Sequence, residues 1–458
     1  MRHPAVFFQV CSFLVLALGV AGCRGVTGGG EREMRERVER VGGEYRPGGA
    51  RPELPVLREG GEFSGFLRFA LLSSPRVAAA YYRWVASVES ITVERSLPDP
   101  VLSFEADITD VVMTLMPGVM QEFPGPGKLR ARGAVATAES GVRWVEFRNS
   151  VLEVALELKR SFYARYYVER QVGIHEENLA LLGELEAVAR ARNEAGKVSL
   201  QDVLRAQIMR DRVATELDNL RDSRLMLRAE FKAAMGLRSE EADPPLPGYP
   251  GGGIEFTDEA VLLEAAFAGN PELALMRAEV AVMEASIEVA YRERVPDFRA
   301  GLMADVKSTP VMVRPQLGMT LPIWRDKVAA GIASAEAGRM AVETGRAEVD
   351  LRLAAVVAGK SFGVREVGRT LRVLQDSLIP KAQLSLELAR VGYLSGEISF
   401  FNLIDAEQTR LELQLAEVEA RMRRDILLAE ISYWVAGVQP AEADWWQGLE
   451  RQETGTEP

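Results

Sequence analysis

Cysteine and histidine are nearly absent from this 458-residue chain, with two of each. Cys11 and Cys23 both lie near the N-terminus, and apart from His3 only His175 supplies an imidazole. That scarcity excludes a disulfide framework, a Cys/His metal centre and a Cys–His catalytic pair. Positive charge is in deficit too: 55 Lys and Arg stand against 66 Asp and Glu, a net charge of −11. With no Lys/Arg block to offset it, this balance excludes nucleic acid as a partner. Past the N-terminus, nothing approaches the roughly 18 apolar residues in a row that a spanning helix needs, so any crossing of a membrane falls to strands. No Ser/His/Asp or paired-carboxylate arrangement stands out, and neither an enzyme nor a cofactor is expected. Gly359-Lys360-Ser361 resembles the end of a phosphate-binding loop, but Ala354 stands where that loop requires its first glycine.

What the chain does contain is an internal echo. Ala195-Gly196-Lys197-Val198-Ser199-Leu200-Gln201-Asp202-Val203-Leu204-Arg205-Ala206-Gln207 aligns without a gap on Ser395-Gly396-Glu397-Ile398-Ser399-Phe400-Phe401-Asn402-Leu403-Ile404-Asp405-Ala406-Glu407, 200 positions later. Leu97-Pro98-Asp99 recurs as Val295-Pro296-Asp297, and Phe123-Pro124 as Leu321-Pro322. A duplication on this scale implies two structural repeats, assigned to residues 62–250 and 251–437. Residues 438–458 form an acidic tail.

The N-terminus has the pattern of an export signal over residues 1–22: Arg2 and His3, then an apolar stretch from Ala5 to Val20. It ends in Val20-Ala21-Gly22-Cys23, which resembles a bacterial lipobox, so Cys23 is expected to carry covalent lipid. Two or more acyl chains anchor stably where one does not. Residues 23–61, rich in Gly, Arg and Glu, are expected to be a lipid-anchored flexible tether.

The periodicity then changes twice in each half. Helical segments from near Phe63 and from Thr257-Asp258 break at Ser74-Pro75 and Asn270-Pro271. Two alternating segments follow in each half: Val101–Thr109 with Val112–Phe123, and Phe298–Lys307 with Val313–Leu321. One face of each alternating segment is apolar and the other polar, which predicts half-buried strands. Four strands of that length match an outer-membrane crossing, yet four cannot close a barrel, and open edges in lipid leave backbone groups unsatisfied. Three copies would supply twelve strands. The intervening proline-free run from Gly127 to Asp243 predicts helices over 128–193 and 199–235, with Leu179, Leu182, Leu185 and Val188 at packing positions. The second half predicts helices over 327–394, interrupted at Pro380, and 399–435. Most helical Glu and Asp, and His175 with them, are expected on solvated faces. Met113, Met116 and Met120 are soft donors in principle, but in a strand hairpin they read as lipid-facing or turn contacts, so no metal site is assigned.

These motifs together resemble the TolC-type outer-membrane efflux protein family over residues 62–436. The resemblance rests on Ala70…Ser74-Pro75, Asn270-Pro271, the Pro-Asp before each first strand, Phe123-Pro124-Gly125-Pro126-Gly127-Lys128, Gly318-Met319-Thr320-Leu321-Pro322, and the two glycine turns. It implies a mainly α fold with a small β part. In that fold three protomers build a twelve-stranded transmembrane β-barrel continuous with a long α-helical coiled-coil barrel in the periplasm. It also implies a passive exit duct in the Gram-negative outer membrane, joined to a periplasmic adaptor and an inner-membrane transporter. Ser199 and Ser399 sit where an N-cap belongs, with Asp202 and Asn402 three residues on in a capping-box-like arrangement. By the same resemblance, Gly196, Ser199, Gly396 and Ser399 lie in adaptor-docking turns. Asp202 and Tyr393 match positions of a closed gate, Asp405 matches an acidic ring at the pore mouth, and Asn402 and Ile398 depart from that pattern. The strand entries resemble the heavy-metal subgroup. A competing reading of a different class is a non-conducting periplasmic coiled-coil scaffold lipoprotein, which would have no use for two-faced strands.

Overall fold

A computed structural model describes residues 28–108, 113–249, 259–305 and 311–435. The export signal, Cys23, the Thr257-Asp258 pair, the hairpin tips and the acidic tail lie outside the described residues. The helices are α1 (Gly29–Tyr45), α2 (Phe63–Ser73), α3 (Pro75–Arg95), α4 (Lys128–Glu194), α5 (Leu200–Ala234), α6 (Glu259–Gly269), α7 (Pro271–Arg292), α8 (Arg325–Val373), α9 (Ile379–Ser395) and α10 (Phe400–Trp434). The strands are β1 (Val101–Ile108), β2 (Met113–Phe123), β3 (Phe298–Asp305) and β4 (Met312–Met319). The order of two short helices, a strand pair and two long helices thus occurs twice. Among the described residues no helix is long and apolar enough to cross a membrane.

The boundaries have local causes. Ser74 is extended at φ −64° and ψ 119°, the conformation forced on a residue before proline, so α2 stops there and α3 starts at Pro75. α4 runs for 67 residues, about 100 Å at 1.5 Å per residue, because no proline or special turn interrupts it. Pro380 falls just inside α9, and the chain reaches it through a π turn at Leu374–Leu378. That wider turn relieves the clash and the missing donor that proline brings to a continuous α-helix.

The strands form one antiparallel sheet in the order β1-β2-β3-β4. The register pairs Leu102 with Val119 and Phe104 with Pro117, Val119 with Leu302, and Leu302 with Pro315. Residues directly opposite share a face. One face therefore carries Leu102, Phe104, Pro117, Val119, Phe123, Phe298, Ala300, Leu302, Val313, Pro315, Leu317 and Met319, with Gln121 as the one polar member among the paired residues of known facing. The other carries Ser103, Glu105, Gly118, Glu122, Arg299, Gln316 and Arg314 together with methionines.

The chain divides into two compact units. The first holds the described parts of Met1–Gly49, Ala79–Phe147 and Glu272–Val349, including the sheet. Its core is aromatic: Trp84 is fully buried, stacked on Phe147 at 5.9 Å and against Trp144 at 4.7 Å, with Tyr45 and Tyr81 alongside. Where strands meet helices, the Asp297 carboxylate accepts from the Gly125 amide at 2.7 Å and from Lys128 Nζ at 3.0 Å, while its backbone pairs with Thr320 at 2.8 Å in both directions. One residue, through its side chain and its backbone, thus ties together three of the sequence motifs. Gly125 is required there because a Cβ would sit 2.5 Å from the Pro296 carbonyl oxygen.

The same unit corrects the expected tether. Residues 29–45 are helical, and their Glu31 is buried between Arg35 at 3.0 Å and Arg95 at 2.7 Å. Val41 and Tyr45 of α1 are buried as well. An anchored flexible segment would bury none of these.

The second unit holds the described parts of Ala50–Ala78, Arg148–Pro271 and Asp350–Pro458. Leu182 packs with Val213 and Leu411, with Leu179 beside them, so the apolar stripe on α4 does face neighbouring helices. Charged residues are not confined to solvated faces. Glu407 and Asp425 are buried, the former bonded by Asn178 and Arg410, the latter by the Tyr167 hydroxyl at 2.6 Å. His175 is buried rather than solvated, and burial depresses its pKa despite Glu216 nearby. Glu407 and Asp425 each have a partner on another helix, a coupling that linear spacing does not display.

Candidate functional site

Two turns in the second unit are built alike. In the first, Gly196 at φ +69° ends α4, with its amide on the Asn193 carbonyl at 2.8 Å and the Lys197 amide on the Arg192 carbonyl at 2.9 Å. In the second, Gly396 at φ +85° ends α9, with its amide on Tyr393 at 3.2 Å and the Glu397 amide on Gly392 at 2.8 Å. This paired-bond ending satisfies the last carbonyls of a helix and needs a left-handed residue, which only glycine adopts at little cost. Nothing lies within 4 Å of a Cβ at Gly196, so backbone conformation and not space demands glycine there.

Ser199 and Ser399 occupy the N-cap positions of α5 and α10 with extended backbones, as expected. The expected side-chain caps are not made. Instead the Asp202 and Asn402 amides bond the Ser199 and Ser399 carbonyls at 3.1 and 3.2 Å. The capping-box expectation is corrected to this extent: the backbone closes each first turn, and both serine hydroxyls are left at the exposed tip.

The two turns share one core. Leu185 and Ala189 of α4, Val203 and Ala206 of α5, Ala389 and Tyr393 of α9, and Phe400 and Leu403 of α10 are buried together. Tyr393 is the polar member of that cluster. Its ring lies 5.2 Å from Phe400, and its hydroxyl is buried with no hydrogen-bond partner. Desolvation raises its pKa, Arg192 lowers it and Asp202 raises it further, so the phenol stays protonated. The cation beside it comes from the other repeat. Arg192 lies over the Tyr393 ring at 4.7 Å and also donates from Nη1 to the Tyr393 carbonyl. Ile398, where the resemblance would place an arginine, instead packs against this core and over Gly392.

Asn402 and Asp405 are exposed and line one groove of about 400 Å³ with Ser385, Leu388 and Thr409. Among the described residues the Asp405 carboxylate has no ion pair or hydrogen bond. Asp202 is half-buried on α5 and acts on Tyr393 through space, whereas Asn402 and Asp405 open away from that tyrosine into the groove. Sequence reasoning did not find Arg192, because nothing about an arginine in a last helical turn shows that it will stack on a residue 201 positions away.

A second polar cluster braces the same helices. Glu186 accepts from Arg190 at 2.7 Å, Gln207 at 3.0 Å and Arg210 at 2.5 Å. The Gln207 bond leads in holding its carboxyl below the usual range, with the two arginines acting in the same direction against a desolvation penalty. Gln207 and Glu407 are equivalent positions of the duplicated turn, and both are tied to a polar residue of α4. That equivalence was the available signal for them.

Comparisons with known proteins agree with this architecture. The profile of the family described as "Outer membrane efflux protein" matches residues 262–433. The cobalt-zinc-cadmium resistance protein CzcC of Cupriavidus metallidurans is 22% identical over 365 residues, covering 76% of this chain and 84% of that one. The outer membrane protein VceC of Vibrio cholerae superposes with a TM-score of 0.68 at 16% identity, covering 81% of this chain and 95% of VceC. The open-state MtrE outer membrane channel of Neisseria gonorrhoeae gives 0.70 at 15%, covering 82% and 89%.

Proposed function

We propose that this chain, a member of the TolC-type outer-membrane efflux family and hence a transport protein rather than an enzyme, is the passive exit duct of a tripartite efflux system. The supporting observation is the sorting of side chains by the sheet register. One face is apolar across all four strands and the other polar, the division needed by a wall between lipid and water. A sheet that served a periplasmic scaffold would gain nothing from it. β1 and β4 have a free edge in a single chain, and such edges in hydrocarbon cost several kcal/mol per unsatisfied group. Closure by three copies, giving twelve strands, removes them.

The helices support the same assembly. Leu384, Leu388, Val391 and Leu394 form an exposed apolar stripe on α9, and Leu200, Leu204 and Ile208 form another on α5. Both follow helical spacing, and a chain working alone would leave both in water. Head-to-tail contacts between copies bury such stripes and close a ring. In this reading lipid on Cys23 anchors the chain, the exposed turns at Gly196, Ser199, Gly396 and Ser399 dock a periplasmic adaptor, and an inner-membrane transporter supplies the driving force. Tyr393 with Asp202 holds the tip closed, and Asp405 with Asn402 rings the entrance. Similarity to CzcC suggests metal ions as cargo.

The test is reconstitution of the purified full chain into planar bilayers, with migration on SDS gels with and without heating. A heat-sensitive trimer that conducts ions is expected. A monomer released from membranes by salt, with no conductance, would leave only the scaffold reading.

A further inference from the structure

The polar face of the sheet holds side chains that neither lipid contact nor water contact explains. Met116, Met120 and Met303 all lie on it. β2 presents Met116, Gly118 and Met120 to that face in succession, and Met303 of β3 stands directly opposite Gly118. Met303 therefore sits between the two β2 methionines, diagonal to each, a separation that long side chains bridge. Gly118 and Gly301, which pairs with Met120, leave the space: a Cβ on Gly118 would lie 3.5 Å from Met303 Cβ, and one on Gly301 would lie 3.4 Å from Met120 Cβ. Met116 and Met303 are only 3% and 7% exposed, although the sheet packs broadly only within itself among the described elements. On that face Met303 has Gln316 beside it and Gly118 opposite it. Met116 and Met120 thus depart from the reading as lipid-facing or turn contacts, since in that strand Val119 and Pro117 take the apolar side.

We propose that Met116, Met120 and Met303 form a thioether site for a soft monovalent cation of the Cu(I) or Ag(I) type. Three uncharged, polarisable sulfurs suit such an ion and bind Zn(II) or Co(II) poorly, because those ions take nitrogen, thiolate or oxygen donors. The charges around the site are mixed: Glu105 is opposite Met116, Arg314 is opposite Met303, and Asp305 follows Met303 on the same face. Selection therefore falls to the sulfurs and not to net charge. Gln316 donates its amide to Met303 Sδ at 3.9 Å, which orients that thioether within the face. The assignment needs only the polar face of the sheet and stands whether or not the chain conducts.

The experiment is anaerobic competition between the detergent-purified full chain and a chromophoric Cu(I) chelator. One Cu(I) per chain is expected, with affinity falling at least tenfold in M116L/M303L and changing less than twofold in Met319→Leu, which lies on the other face. All variants keep Cys11 and Cys23 as in the parent, so any thiol contribution cancels. Leucine conserves volume, and unchanged heat-modifiable migration checks that the variants fold. Should the double variant not assemble, Cu-edge absorption of the loaded parent decides, with sulfur scatterers expected. Equal affinity in M116L/M303L, displacement by a hundredfold excess of Zn(II), or a purely oxygen and nitrogen shell would each show that the methionines only fill space above the two glycines. Conductance of the metal-free parent tests the duct separately, so failure of one reading is distinguishable from failure of the other.

Discussion

If Tyr393 holds the tip closed, as proposed, replacing Arg192 with alanine should loosen it without unfolding the helices that bear it. The side chain makes two contacts with the other repeat, over the Tyr393 ring at 4.7 Å and to the Tyr393 carbonyl. A cation over an aromatic ring contributes about 0.5–2 kcal/mol according to its exposure. A hydrogen bond from a charged donor contributes about 1.5–3 kcal/mol. Arg192 is half-buried, which argues for the lower part of each range and a combined value of about 2 kcal/mol. If opening carries α9 away from α4, both contacts exist only in the closed state. Their loss then shifts the closed-to-open equilibrium by about thirtyfold, since each 1.4 kcal/mol is tenfold. Single-channel recording in planar bilayers reads this as a rise in open probability at unchanged conductance, because Arg192 does not line the Asp405 groove. Arg205→Ala is the matched control: its guanidinium lies 5.2 Å from the ring of Phe401, an exposed residue next to the buried Phe400, and a much smaller change is expected. An R192A trimer with the parent's open probability would refute the idea that the cross-repeat stack holds the tip.

Three further outcomes follow from other parts of the chain. Asp405→Ala should weaken block of the current by multivalent cations several-fold, since an exposed carboxylate without an internal partner is free to attract cations in a narrow mouth; unchanged block would remove Asp405 from the pore. Asp297→Ala leaves Lys128 almost fully buried with only Glu293 at 3.6 Å. Removing one partner of a buried pair costs about 3–5 kcal/mol, here reduced to about 2–3 by Glu293, so the SDS-resistant oligomer should dissociate at lower temperature, and adding Lys128→Met should recover part of the loss. His175 has a folded pKa below its unfolded value near 6.5. The unfolded chain therefore takes up the proton first as pH falls, and stability drops below about pH 6.5 until the folded pKa is passed. His175→Gln should flatten that part of the curve in melts between pH 7 and 5, while the Glu186 contribution, of opposite charge type, is lost only at lower pH, below the usual carboxylate range.

Local periodicity made most of the fold legible. Phe104 alternates with Ser103 and Glu105, and a proline-free run of helix formers gave α4 to within a residue, because these patterns are imposed on neighbours in sequence. The duplicated glycines announced both turns for the same reason: a left-handed residue after a helix is a local demand. What stayed hidden was tertiary. Residues 29–45 look like a solvated leader until Glu31 meets Arg95, and composition carries no record of that pairing. Ser199 and Asp202 have cap spacing, yet the side-chain bonds are not made, since the backbone closes that first turn. Ile398 stands where the resemblance would place an arginine, and the cation beside Tyr393 comes from the first repeat as Arg192.

A single copy leaves two different surfaces unsatisfied, and their chemistry points to the same remedy. The sheet has edges whose backbone groups need strands; the helices α5 and α9 have apolar stripes that need other helices. Another copy of the chain presents both a strand edge and a helix stripe, so one kind of partner meets both needs. The requirement is also directional. β1 and β4 are different edges, and the α5 and α9 stripes are different surfaces, so contacts join unlike faces and each added copy exposes the same need again until the ring closes. In the proposed duct three copies supply twelve strands, a number within the range of membrane barrels. Substituting charge into either stripe, as in Leu388→Glu or Leu204→Glu, should therefore abolish the heat-modifiable oligomer on SDS gels, and an unchanged oligomer would refute a copy-to-copy role for the stripes.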